Sequence, residues 1–169
     1  MAGRRVYFSF HYDNDIWRAS TVRNSARFDA VARASWSDAS IWEEAKRKGD
    51  DAIRRLIDNG IKNTSVTAVL IGEDTASRRW VNYEIEKSIE RDNGLLGVRI
   101  HTLKDQQGRK GKAGAIPRAL KEGEYPVYSW GARKLGYEVE RAAIRAGKPC
   151  IKHGTKDCLS CRWDNWWHI

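Results

Sequence analysis

A carboxylate four residues after a tryptophan, inside one helical stretch, is the most reactive arrangement in this sequence. In residues 77–92, SRRWVNYEIEKSIERD, Val81, Ile85 and Ile89 recur at i, i+4 and i+8. They form an apolar stripe that has to face a core. Trp80, Glu84 and Ser88 make a second row at the same spacing. At about 100° per residue, Glu84 lies about 100° from the centre of the stripe, on the flank between core and solvent. A carboxylate at the edge of a core beside a Trp takes on a raised pKa and can aim at a ligand. Glu86 and Glu90 lie further round, towards water. The competing reading makes all three ordinary solvated carboxylates.

A second set of chemically competent residues lies in 148–169, KPCIKHGTKDCLSCRWDNWWHI. Cys150-x-x-His153 and Cys158-x-x-Cys161 present two ligand pairs separated by four residues, with His168 to spare. Three cysteines and one histidine are a known structural zinc set. The gap between the pairs is shorter than in common zinc modules, and buried reduced thiols are the competing reading. All three cysteines of the chain fall here, so no disulfide framework is expected. Trp163, Trp166 and Trp167 predict that the segment packs on the domain or on a partner.

These residues need a scaffold. A chain of 169 residues is the size of one domain with a real core. No apolar run reaches the length of a membrane span, and MAGRRVYFSF is too short and too quickly charged for a signal peptide. A soluble, cytoplasmic protein with no membrane partner is the expectation. The net charge of +9 favours phosphate-bearing or polyanionic partners. From Lys104 to Lys134 there are eight basic and three acidic side chains, which a basic loop also explains.

RVYFSF, residues 5–10, reads as a buried strand that ends in the polar turn HYDND. A helix over 16–24 follows, with Asp13 or Asp15 as its cap. Residues 26–34 are a short second strand. One helix spans 41–61, weakened at Gly49 and stopped at Asn59-Gly60. SVTAVLI, residues 65–71, is a central strand, and the loop Gly72–Thr75 leads into the Glu84 helix. A strand over 94–102, a mobile basic loop over 104–124 with a helical turn near 116–120, a strand over 125–130 and a helix over 131–146 complete the pattern. Gly147 and Pro149 end that last helix. The sum is an α/β fold, a doubly wound, flavodoxin-like, five-stranded parallel sheet with helices on both faces. Ligands bind at the carboxyl ends of such strands, where Ser9, Phe10, His11 and Asp13 stand.

VYFSFHYDND, WEEAKRKGDDAIRRLIDNGI, SVTAVLIGEDTASRRWVNYEI and GLLGVRIHTL together resemble the TIR-like domains of the Thoeris anti-phage defence system. The similarity covers about residues 4–147, which makes 1–147 the TIR-like domain and 148–169 an extension. Its most specific part is IG-x-x-T-x-x-S-x-W-V-x-x-E-I, here IGEDTASRRWVNYEI, with one extra residue between Ser77 and Trp80. The resemblance implies an NAD glycohydrolase or ADP-ribosyl cyclase that releases nicotinamide and makes a cyclic or conjugated ADP-ribose signal for a separate effector. It places the catalytic carboxylate at Glu84 and ligand-lining positions at Ser9, Phe10 and His11, with Asp74 and Trp80 beside them. Phe10 would stack on a ring of the substrate, and Arg78 or Arg79 would suit its pyrophosphate. NAD is then a substrate, no cofactor is required, and self-association is expected to complete the site. Neither G-x-G-x-x-G nor G-x-x-x-x-G-K-[ST] occurs. The alternatives are a non-catalytic TIR-type interaction module, a basic nucleic-acid-binding domain and a nucleoside deoxyribosyltransferase.

Overall fold

The computed structural model describes residues 4–25, 34–35, 39–131, 134–151 and 153–155. Strands β1 (Val6–Ser9), β2 (Ala34–Ser35), β3 (Val66–Ile71), β4 (Gly94–Arg99) and β5 (Val127–Ser129) form one sheet in the order β2-β1-β3-β4-β5. Every pairing is parallel; β1 meets β3 from Val6↔Val66 to Ser9↔Val69, and β3 meets β4 from Val66↔Gly94 to Ile71↔Arg99. The expected α/β class with a parallel sheet and flanking helices is what the chain forms. The second strand is reduced to two residues at the sheet edge, and 26–33, where most of it was expected, lie outside the described residues.

Alternation along the strands sorts the helices between the two faces. Val6, Phe8, Val66, Ala68, Leu70, Leu96 and Val98 pack with α1 (Tyr12–Arg23) and α6 (Leu135–Arg145), through Ala19, Val22, Leu135 and Val139. On the other face, Tyr7 packs with α2 (Ala39–Lys48) and α3 (Asp50–Lys62), while Val69, Ile71 and Leu95 pack with α4 (Arg79–Glu90). A 3₁₀ turn over Thr75–Ser77 precedes α4, and α5 (Arg118–Glu122) is a single short helix.

Several boundaries differ from expectation for identifiable reasons. Helix α1 begins at Tyr12, so Asp13 and Asp15 lie within its first turn and neither caps it. The single helix over 41–61 is two helices, broken at Gly49, whose φ of +96° no L side chain adopts without strain. Helix α3 runs through Asn59-Gly60 to Lys62. Gly60 is there because a Cβ at that position would come within 2.7 Å of the Tyr7 ring, a tertiary constraint and not a helix stop. Ile89 is 39% exposed, so the buried row of α4 is Val81, Glu84, Ile85 and Ser88 rather than the 81/85/89 stripe. The basic loop is tethered: Arg18 donates to the carbonyls of Leu103 and Arg109, and Gly111 N–H donates to His101 O. No helix among the described residues is long and apolar enough to cross a membrane.

Candidate active site

The face of the sheet that meets α4 carries three hydroxyl groups in an otherwise apolar surface. Tyr7 and Ser9 are two apart on β1 and therefore point the same way, and Thr67 stands beside Tyr7 on β3. The inward row of α4 answers with two polar residues of its own. Ser88 Oγ lies 2.7 Å from Thr67 Oγ1 and donates to the Glu84 carbonyl at 2.7 Å. One turn earlier, Tyr7 Oη donates to Glu84 Oε1 at 2.6 Å and Ser9 Oγ donates to Oε2 at 2.5 Å. Glu84 is 5% exposed, so it lies inside the interface rather than on its flank. A polar row on the helix meets a polar row on the sheet, and this rotates α4 away from its most hydrophobic stripe.

Burial pushes the Glu84 pKa up to about 7, against the opposing pull of the Ser9 and Tyr7 hydrogen bonds. Among the described residues no cationic side chain contributes to that balance. Desolvation disfavours the carboxylate, and two neutral donors offset it only in part. The site thus holds a half-ionised carboxylate near neutral pH that lacks a counter-charge, and it is electrostatically complementary to an arriving cation. Tyr7 itself is raised well above its ordinary value, by burial first and by the neighbouring Glu84 second.

The other expected site residues divide into two groups. His11, at the N-cap of α1, is 8% exposed, and its Nδ1 has no hydrogen-bond partner among the described residues. Burial and the nearby Arg78 charge lower its pKa, so the imidazole is neutral at pH 7. Asp74 accepts from Asn14 Nδ2 at 3.2 Å and lies 3.8 Å from Arg78, which puts both at the rim near His11. Ser9, His11, Asp74, Arg78 and Glu84 therefore gather around the carboxyl end of β1. Trp80 and Arg79 turn towards α3: Arg79 pairs with Asp50 at 2.7 Å and covers the Trp80 ring at 4.5 Å. Phe10 is buried in the core and stacks on Tyr12, which stacks on Trp42.

A cavity of about 550 Å³ opens on the α1 side of the same strand ends, lined by Asp13, Asp15, Trp17, Gly72, Glu73 and His101 among others. Glu84 and Ser9 do not line it. Its wall is held by Arg18, which donates to Asp15 Oδ1 at 3.0 Å and to the Leu103 carbonyl at 3.0 Å. Gly72 is needed beneath it, since a Cβ there would collide with Asp15 Oδ2. Tyr7, Asp15 and Arg18 are the site residues that sequence reasoning missed. Tyr7 carried a usable signal, its two-residue offset from Ser9 within a strand.

Of the candidate metal ligands, Cys150 and His153 are neighbours, whereas Cys158, Cys161 and His168 lie outside the described residues. Among the described residues no group of three or more ligating side chains occurs.

The family model described as "Thoeris protein ThsB, TIR-like domain" matches residues 7–105, which contain β1, α1, β3, α4 and Glu84. A protein of Bacillus cereus (strain MSX-D12), named "Putative cyclic ADP-D-ribose synthase ThsB1", is 48% identical over 117 residues. That match covers 68% of this chain and 60% of the relative, so less than two-thirds of the relative's length is represented. With more than half of its residues matched by that family model, and this identity across two-thirds of its length, the chain belongs to the TIR-like domain family of Thoeris protein ThsB.

Proposed function

We propose that this chain cleaves NAD between ribose and nicotinamide and passes the ADP-ribosyl group on as a cyclic or conjugated signal, read by a separate effector in anti-phage defence. The observation that carries this reading is the Glu84 carboxylate, buried, held by two hydroxyl groups and, among the described residues, without a cationic contribution. Breaking the C1′–N bond sends the electron pair out with neutral nicotinamide and leaves positive charge on the ribose. A single carboxylate stabilises that charge, and the leaving group needs no proton. A ribose diol offers the same pair of O–H donors that Tyr7 and Ser9 offer, so sugar binding exchanges one pair of hydrogen bonds for another. The acceptor then adds to C1′ and loses its proton to Glu84 or to solvent; a hydroxyl of the same molecule makes the product cyclic. Arg78 at the rim suits the pyrophosphate. The name of the Bacillus cereus relative supports the cyclic product.

A specific activity, the rate per chain, that rises with enzyme concentration is expected if self-association completes the site. Arg109, Lys112 and Arg118 of the basic segment lie beside Asp105, Glu73 and Glu122, which lowers its local positive charge. The deciding measurement is nicotinamide release from NAD by the wild-type chain and by Glu84→Gln. A fall of about 100-fold or more is expected on loss of a charge that acts on the transition state. Equal rates in the two proteins would remove Glu84 from the chemistry.

A further inference from the structure

The cavity on the α1 side carries four groups whose bonding capacity the rest of the fold leaves unused. It encloses about 550 Å³, a volume in the range of small-molecule sites. Asp15 lines it with Oδ1 held by Arg18, while Oδ2 has no hydrogen-bond partner among the described residues. His101, on the loop after β4, lines it too, and its buried Nδ1 also has no partner among them. A buried polar atom left unpaired is costly, and a ligand that pairs with it removes that cost. Trp17 stands in the same wall 53% exposed, with its indole against no other ring among the described residues. Lys110 is exposed in the wall and pairs with no carboxylate among them.

We propose that this cavity is a second ligand site, apart from Glu84, for an adenine nucleotide group. Trp17 supplies a face on which a base stacks, and Lys110 supplies a cation for a phosphate. Asp15 selects the base. Its one unengaged oxygen accepts from one amino group, whereas the paired N–H donors of guanine need two acceptors and Arg18 already holds the other. Adenine presents an amino donor beside a ring-nitrogen acceptor. That acceptor suits an N–H at His101 Nδ1. Cytosine shares the pattern but offers the indole a smaller ring. Gly72 keeps the space open, since a Cβ there would collide with Asp15 Oδ2. Neither Glu84 nor Ser9 lines the cavity, so the site stands independently of NAD cleavage. The same adenylate group occurs in free AMP and at one end of ADP-ribosyl compounds.

The test is calorimetric titration of AMP into the full chain. The wild type and Glu84→Gln should bind it equally, with a Kd below about 1 mM. Trp17→Ala should weaken binding about tenfold, the loss expected when a base loses its stacking partner. Lys110→Ala should weaken it about threefold at low salt and less at high salt. Both side chains are exposed, and thermal melts matching the wild type confirm that these variants fold. Inosine monophosphate, with a carbonyl in place of the amino group, should bind about tenfold more weakly than AMP. Tighter binding of ADP-ribose than of AMP assigns the site to ADP-ribosyl compounds, and the reverse order to the free mononucleotide; either order supports it. No heat of binding with AMP up to about 10 mM would overturn the proposal. So would AMP binding that Trp17→Ala leaves unchanged, that Glu84→Gln abolishes, or that inosine monophosphate equals.

Discussion

Two of the buried carboxylates, Asp15 and Glu84, lie near the carboxyl ends of the central strands and are supported by different partners. Asp15, 2% exposed, sits under α1 with the Arg18 guanidinium 3.0 Å away. Glu84 sits under α4 with only the hydroxyls of Tyr7 and Ser9. Burial raises both pKa values, but at Asp15 the hydrogen bond and charge of Arg18 pull back, whereas at Glu84 no cation does. Arg18 occupies Asp15 Oδ1 and supplies a counter-charge, while Oδ2 has no hydrogen-bond partner among the described residues. Arg18 makes Asp15 a structural joint, because the same side chain ties α1 to the loop after β4. Among the described residues Glu84 has no counter-charge, and under the proposed reaction that place is taken by the positive charge developing on the ribose.

The largest effect that would break this comparison is on stability. Arg18→Ala leaves Asp15 buried without its cation and releases the loop; removal of one member of a buried pair costs about 3–5 kcal/mol. Urea unfolding should show a loss of that size. A loss below about 1 kcal/mol would mean that Asp15 is as uncompensated as Glu84.

The next effect is a pH dependence. The folded Glu84 pKa of about 7 lies above its ordinary 4.5, so its stabilising contribution is complete below pH 4.5 and lost as pH rises through 7. That gap, at about 1.4 kcal/mol per pH unit, is on the order of 3 kcal/mol. Glu84→Gln should therefore gain stability relative to wild type between pH 5 and 8 while losing nicotinamide release. Thermal melts of the two proteins across that range check it, and parallel curves would count against a buried, uncompensated carboxylate. In the wild type, activity should climb through pH 7 as Glu84 ionises.

The smallest effect sharpens the contrast. Tyr7→Phe removes one donor from Glu84 Oε1, and an unsatisfied buried acceptor costs about 1–3 kcal/mol. The midpoint of the pH–activity profile should shift to higher pH, which a purely structural role for Tyr7 would not produce.

Strand β3, VTAVLI, was legible because a short apolar run rich in β-branched residues fits the centre of a sheet, and β1 and β4 were legible as short apolar runs beside polar turns. The position of Glu84 on the helix after β3 was legible from its spacing to Trp80. Its depth was not, because the hydrophobic pattern of α4 alone points 81/85/89 inward. Only the hydroxyls of Tyr7, Ser9 and Thr67, on strands remote in sequence, show why 84 and 88 turn in and Ile89 turns out. Gly60 misled for the same reason: the Tyr7 ring that requires it is more than fifty residues away. Arg18 carries no signal of its own in the sequence, because the carbonyls it holds belong to Leu103 and Arg109, far along the chain.

One consequence of the break at Gly49 concerns where the helices beside Glu84 lie. Nothing lies within 4 Å of the space a Cβ would occupy there, so the joint is unobstructed as well as non-helical. Helix α3 is pinned to the sheet by Ile53, Ile57 and Ile61, while α2 carries Trp42, which stacks on Tyr12 next to His11. Trp42 and Ala45 of α2 share one apolar cluster with Ile53, Ile57 and Ile61 of α3, so the sharp turn at Gly49 is what lays α2 back on α3 and sets the indole against Tyr12.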